Sequence, residues 1–344
     1  MSGRVVVAGS LNMDLVAEAP SLPRAGETVM GSAFHTLPGG KGLNQAVAAA
    51  RLGARVAMIG CVGADAFGER LIEVIRAEGV DASGVRQTAD APTGIAQIVV
   101  AGGENSIVVV PGANMTLTDA DVASIAIADD DVVVAQLETP IAVTERLFAR
   151  SRRATTILNA APAAAVPDSL LALTDLLVLN ETELATLSGT DVRDDSPIAD
   201  IVSAARSLRR SYMAVIVTLG RRGAILLEGD GPPRTVDGHA VEAIDSTGAG
   251  DCFVGAYAAA LALARPGPAL AFANAAAALA VTKRGAAPSM PSRVEVEALM
   301  RAGGCSGCPA VAHGARVRPL SPPRGQCDHG RAFRLPRQHR QHAA

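Results

Sequence analysis

"DVVVAQLETPIAVTERLFARSRRATTILNAAP", residues 131–162, sets an apolar run of strand length, a stretch with helical character and a second apolar run in succession. Neither run alternates apolar with polar residues. Continuous apolar runs suit strands covered on both faces, which is the environment of a parallel sheet with helices above and below. The same rhythm extends in both directions. "RVVVAGS" (4–10) and "RVAMIGCVG" (55–63) read as strands, with "GLNQAVAAARLGA" (42–54) as a glycine-closed helix between them and "AFGERLIEVIRAEG" (66–79) as the next helix. "DLLVLN" (175–180) and "MAVIVTLG" (213–220) add two more strands. The fold class that follows is α/β, three layers about a mostly parallel sheet.

Two segments break the rhythm. "TGIAQIVVAGGENSIVVVPG" (93–112) reads as a hairpin around a Gly-rich turn, and "DLVAEAPSLPRAGETVMGSAFHT" (14–36) as extended chain. Together they predict a small β-sheet attached to the α/β body, from about 15–38 and 93–111.

Composition narrows the function. The chain has 344 residues, 49% hydrophobic and 19% charged, enough for a large core. Tryptophan is absent and aromatics are 2%, so stacking surfaces for nucleic acid are not expected. "MSGRVVVAGSLNMDLV" enters a strand pattern directly, without the basic and long apolar regions of a signal peptide. The Ala-rich stretches of the last third are too weakly hydrophobic to span a membrane. These features predict a cytoplasmic protein. Residues 301–344 differ in kind: eight Arg, one Asp, four of the six His, and many Pro and Gly without apolar periodicity, which reads as a disordered tail. "CSGCPAVAH" and "CDH" within it resemble zinc ligands, but their spacing is irregular and no core surrounds them.

In an open parallel sheet ligands bind at the carboxyl ends of the strands. Asn12 and Asp14 follow the first strand, Glu138 and Asn180 end later ones, Gly220 follows another, and "PGGKGLN" places Asn44 in the opening turn of a helix. Each alone is equally a helix cap or turn former. Amides and carboxylates gathered on one rim suit the paired hydroxyls of a sugar. "DSTGAGDCF" (245–253) supplies a reactive end: Ser246 or Thr247 as a cap, Gly248, Ala249 and Gly250 as an anion hole at a helix N-terminus, and Asp251 beside it. A carboxylate there repels phosphate, so it fits the base that takes a proton from a hydroxyl nucleophile in phosphoryl transfer. An aspartate that merely complements the helix dipole is the plainer alternative. No Walker A loop occurs, which excludes the P-loop class.

In order along the chain, "GSLNMDL", "PGGKGLNQAVAAARLGA", "QLETP", "NETE", "TLGRRG", "DSTGAGDCF" and "VTKRGAAPSMP" resemble the ribokinase (PfkB-type) carbohydrate kinases over about residues 3–300. The resemblance implies an ATP-dependent sugar kinase acting on the 5-hydroxyl of ribose. Sibling kinases for another pentose, a ketohexose or a nucleoside, and a non-catalytic sugar-binding regulator, are the alternatives. It implies that Asn12, Met13, Asp14, Gly40, Lys41, Gly42, Asn44 and Glu138 surround the sugar, with Asp251 as base. Asn180 and Glu183 would order Mg2+ through water. Thr218, Leu219, Gly220, Arg221, Arg222 and Gly223 would line the nucleotide site with Asn180, Gly250 and Asp251, and Asn274 would lie near the adenine. A K+ site would be formed by Asp245 and Ser289 side chains with main-chain oxygens of Thr247, Ala280, Lys283 and Gly285. The small sheet would act as a lid and homodimer interface. The chain uses 29 Arg and two Lys, Lys41 and Lys283, both inside these motifs, which suggests a compact ammonium in a tight site.

Overall fold

The structure is a computed structural model that describes residues 3–102, 104–209, 213–264 and 267–302. Its larger sheet contains β1 (Val5–Ala8), β4 (Val56–Gly63), β5 (Asp81–Thr88), β8 (Val132–Ala135), β9 (Thr155–Asn159), β10 (Leu176–Asn180), β11 (Ala214–Thr218), β12 (Ala224–Leu227) and β13 (Arg234–Val236). The smaller one contains β2 (Asn12–Glu18), β3 (Ala33–Gly39), β6 (Gly94–Ala101) and β7 (Glu104–Val110). Strand order in the larger sheet is β13-β12-β11-β10-β9-β8-β1-β4-β5, parallel from β11 to β5 and antiparallel at β12 and β13.

β1 lies in the interior of this sheet, with Val5 paired to Val56 on one side and Val132 on the other. Its alternate residues feed two separate cores, Val5 and Val7 on one face and Val6 and Ala8 on the other. This double coverage is why the strand reads as an unbroken apolar run. Helices α1 (Lys41–Arg51), α2 (Ala66–Ala77), α8 (Ala249–Ala262), α9 (Ala269–Ala280) and α10 (Arg293–Ala302) contribute to the first core. Helices α3 (Asp119–Ala123), α4 (Ile141–Arg150), α5 (Asp168–Leu171), α6 (Glu181–Ser188) and α7 (Ile198–Leu208) are associated with the second.

α8 is buried along nearly its whole length, and its small residues permit close approach to α1. A methyl at Gly255 would stand 2.4 Å from the Gln45 carbonyl oxygen and 2.8 Å from the Ala48 methyl. That tight crossing brings the first turns of the two helices together. The smaller sheet has the order β3-β2-β6-β7, with β2 and β6 parallel and the outer pairs antiparallel.

The expected hairpin is present as β6 and β7. The small sheet begins at Asn12 rather than about residue 15, because β2 is already paired with β3 and β6 there. α10 continues through Ala302, two residues past the expected boundary, and the expected tail with its Cys and His residues otherwise lies outside the described residues. No described helix is long and apolar enough to cross a membrane.

Candidate active site

Two helices open through left-handed glycines. Gly40 precedes α1 with φ 93°, and any side chain there would stand 2.8 Å from the Asn12 amide nitrogen. Gly248 precedes α8 with φ 76°, and a methyl there would press on Ala286 at 3.0 Å. Both turns therefore demand glycine. The cap of α8 is Gly248 itself, so neither Ser246 nor Thr247 caps it as expected. The reason is local. The Thr247 amide donates to the Asp245 carboxylate at 2.9 Å and the Ala249 amide to the Ser246 carbonyl at 3.2 Å, which curls the chain so that glycine enters the helix. Within this turn, Gly250 faces open space.

Asp251 lies in the first turn of α8, buried at 7% exposure. Its Oδ2 accepts from Asn44 Nδ2 and its Oδ1 from Gln45 Nε2, both at 2.9 Å. Around it stand the other groups expected at the sugar. Asn12 and Asp14 are buried on β2, whereas the Met13 side chain packs into the core, so Met13 offers the site no side chain. Gly39 lies against the Asp14 carboxyl, where a methyl would meet it at 2.3 Å. Glu138 lies three residues beyond the end of β8 rather than within it, and holds the turn before α1: Ser10 Oγ donates to its Oε2 and the Lys41 amide does so at 3.3 Å. A methyl at Gly42 would meet the Gly9 backbone at 2.6 Å, so this helix start packs directly on the end of β1.

The charges are crowded. Burial first, then Glu138 and Asp251, push the Asp14 carboxyl up to about 7. Burial pulls the Lys41 ammonium down, but Asp251, Glu138 and Glu183 outweigh it and hold its pKa above the ordinary value. Glu183 is pushed up by burial and held back by the Asn180 amide and Lys41. Lys41 fits the tight site suggested for it. Lys283 does not, because its ammonium pairs with Glu295 at 2.8 Å on the surface.

Asn180 and Glu183 form a capping box on α6: the Glu183 amide donates to Asn180 Oδ1 and the Asn180 amide to Glu183 Oε2, both at 2.9 Å. That occupies Oε2 and leaves Glu183 Oε1 for another partner. Thr218 ends β11 beside Asn180, its partner in register. Leu219 is buried, Gly220 and Gly223 adopt positive φ, and a methyl at Gly223 would collide with the Val236 carbonyl at 1.9 Å. Arg221 is exposed, whereas Arg222 is turned away onto the Ser196 carbonyl at 2.7 Å and Glu181 at 3.4 Å. Asn274 Nδ2 donates to the Asp237 carbonyl at 2.8 Å, joining α9 to the chain after β13.

Asp245 joins two loops. Its carboxylate takes the Thr247 amide and, at 2.8 Å, the Gly285 amide, and hydrogen bonding keeps its pKa low despite burial. The Ala280 carbonyl accepts the Lys283 amide, and the Ser289 hydroxyl donates to the Ala286 carbonyl. A cleft of about 790 Å³ runs between these loops and the small sheet, with Asp14, Asp245, Thr247 and Gly285 among its walls.

Sequence reasoning missed the amides behind this site. Asn114 accepts from the Leu11 amide at 2.9 Å and donates to Asn12 Oδ1 at 2.8 Å, fixing one expected sugar ligand. Gln45, Gln136 and Asn159 interlock beneath Asp251. The available signal was a polar residue closing each of the apolar runs "VVVAQ" and "TTILN".

A family description, pfkB family carbohydrate kinase, matches residues 2–293, and the chain belongs to that family. Among curated proteins it is 39% identical over 301 residues to the ribokinase of Haemophilus influenzae, covering 86% of this chain and 97% of that one. It is 42% identical over 265 residues to the ribokinase of Mus musculus, covering 75% and 81%. Among solved structures, Arabidopsis thaliana ribokinase complexed with ribose and ATP superposes with a TM-score of 0.79 at 33% identity, over 88% of this chain and 99% of that one. Ribokinase from Thermotoga maritima gives 0.77 at 33% identity, over 87% and 99%.

The Asp14 environment generates a stability test. A carboxyl at about 7 in the folded chain and 3.8 unfolded keeps its proton in the fold while the unfolded chain loses it, so stability falls as pH rises between these values. Above that window the loss is constant, on the order of a few kcal/mol. Asp14→Asn removes the ionisation and is expected to raise Tm at pH 8, with the gain shrinking towards pH 4. Thermal unfolding at the two pH values checks this, and an equal Tm difference at both would show that Asp14 carries no such penalty.

Proposed function

We propose that this chain transfers the γ-phosphoryl group of ATP to the 5-hydroxyl of ribose, giving ribose 5-phosphate and ADP. One observation carries the reading: Asp251 stands at the positive end of α8, beside a glycine turn and facing a set of sugar-suited amides and carboxylates. The relatives named above bear the corresponding activity and ligands in their names. Asn12, Asp14, Lys41, Asn44 and Glu138 bind and orient the ribose hydroxyls. Asp251 Oδ2 takes the 5-hydroxyl proton as that oxygen attacks the γ-phosphorus. The new O–P bond forms as the bond to the β-phosphate oxygen breaks, and ADP leaves. The Gly248 and Gly250 amides face the charge on the transferring group, while the Ala249 amide stays on the Ser246 carbonyl. The segment Thr218–Gly223 and Asn274 form the nucleotide side, with Arg222 a wall held by Ser196 and Glu181 rather than a direct ligand.

Glu183 Oε1, left over from the capping box, is a hard oxygen beside this site, which fits a water-bridged divalent ion such as Mg2+. Mg2+, when bound, supplies charge neutralisation of the phosphates. The Asp245 set is likewise all oxygen, on two loops already drawn together, and fits a monovalent cation such as K+. The kinase unit is residues 1–300 extended to Ala302, with the small sheet as its lid. A compartment that supplies ATP suits this reading, so we place the protein in the cytoplasm.

Asp251→Asn is expected to lower kcat by roughly 10²–10⁴-fold while ATP binding persists. Coupled ADP release over a panel of pentoses, ketohexoses and nucleosides measures it. A variant with normal kcat removes Asp251 from the mechanism, and a sugar other than ribose with the highest kcat/KM assigns the chain to a sibling activity. ADP release with none of the panel would identify a sugar-binding regulator.

K+ is expected to raise activity above that in Na+ or a large organic cation at constant ionic strength, and Asp245→Ala to remove most of that response. Equal rates in the three salts would strike K+ from the mechanism.

The edge strand β7 exposes Ile107, Val108, Val109 and Val110, and β3 exposes Phe34 at 65%. Such an apolar edge suits a homodimer through the small sheet. Analytical ultracentrifugation is expected to give a dimer for the native chain and a monomer for Val109→Asp. A native monomer at micromolar concentration would exclude this interface.

A further inference from the structure

The geometry points to Gln45 as a positioning residue that fixes which oxygen of Asp251 takes the proton. The inference rests on Asp251 being the base, as proposed above. Gln45 is fully buried in the first turns of α1. Its Nε2 has two hydrogens, and both are spent: one on Asp251 Oδ1 at 2.9 Å, the other on Asn159 Oδ1 at 3.0 Å. Its Oε1 accepts from Gln136 Nε2 at 2.6 Å. Turned the other way, the amide would set its oxygen against a carboxylate oxygen and the Asn159 carbonyl, and its NH2 against another NH2. Only one orientation is satisfied.

The partners of Gln45 are themselves anchored. Asn159, the last residue of β9, donates from Nδ2 to the Val178 carbonyl of β10 at 3.2 Å. Gln136 follows β8, and its Oε1 is buried without a hydrogen-bond partner. It occupies space that only a glycine at position 9 leaves, since a methyl there would stand 1.9 Å from this oxygen. A buried amide oxygen without a partner costs free energy, so the hydrogen bond that holds Gln136 in place is the one at its other end. That end is the donor that locks Gln45.

The chain of amides therefore ties Asp251 Oδ1 to three adjacent strands of the large sheet, β8, β9 and β10. Each carboxylate oxygen accepts one amide at 2.9 Å, but the donor to Oδ1 is the fully buried Gln45 on the strand side and the donor to Oδ2 is Asn44 on the sugar side, so proton transfer falls to Oδ2. Gln45 is fully buried with all its polar atoms on Asp251, Asn159 and Gln136, so it acts through Asp251.

Gln45→Met keeps the volume and removes all three hydrogen bonds. Freed of its donor, the carboxylate can rotate, and misplacement of this order costs about 10- to 100-fold in kcat. KM for ribose and for ATP is expected to stay within about twofold. A merely structural role would move KM and Tm together with kcat. The decisive measurement is the cycle with Asp251→Asn: once the base is gone, adding Gln45→Met should change the residual rate by less than about twofold. Gln136→Met, which removes the lock without touching Asp251, should lower kcat in the same sense by about 2- to 10-fold and covers the case in which Gln45→Met does not fold. Unchanged kcat in Gln45→Met, or in Gln136→Met should that variant alone fold, overturns the proposal. So does a full additive loss in the Asp251→Asn background. Normal kcat in Asp251→Asn itself overturns the base assignment instead, and the positioning role with it.

Discussion

Asp14, Glu138, Glu183 and Asp251 share a largely buried space with the ammonium of Lys41, and the rest of the site is arranged around that imbalance. Carboxylates repel one another most where water is excluded. The chain answers in three ways. It places Lys41 in the field of three of them, it gives the Asp251 and Glu183 carboxylates fixed amide donors, and it lets Asp14 hold a proton near neutral pH. A polyhydroxylated ligand brings further donors to this space, so the folded chain keeps an arrangement that its ligand can complete. The cost falls on stability at neutral pH and is offset elsewhere by the two apolar cores on either side of the large sheet.

Those cores are also why so much of the fold is legible in the sequence. A strand covered on both faces must be apolar throughout, so "RVVVAGS" and "DLLVLN" declare themselves, and the intervening helices fix a parallel order. The glycines of "STGAG" were legible as a turn at a helix N-terminus; that a side chain at Gly248 would press on Ala286 of a distant loop was not. The capping of α8 was misread because Ser and Thr are ordinary caps, and the Asp245 turn that displaces them depends on an aspartate accepting from two loops far apart in sequence. Met13 and Arg222 lie in matching motifs, yet their side chains serve the core and a neighbouring loop. A motif records that a position matters without recording which way it points.

The partners of the amides Asn114, Gln45, Gln136 and Asn159 were illegible for a different reason. Periodicity reports which face is apolar, and a buried amide on such a face is an exception whose partners lie on other strands and helices. Only the assembled fold shows that Asn114 bonds Asn12, or that Gln136 relies on the missing side chain of Gly9.

The small sheet is assembled from two excursions of the chain, and its central pairing joins Asn12 to Gly94 in parallel register. During synthesis β2 and β3 emerge first and must wait, with one edge of β2 unpaired, while α1, β4, α2 and β5 are made. Pairings between distant segments form slowly, and an open strand edge is a template for the wrong neighbour. The hairpin β6–β7 thus covers the open edge of β2 and supplies half of the sheet. Because the large sheet pairs through β1, β4 and β8 without it, damage to that hairpin falls first on the small sheet along one side of the cleft.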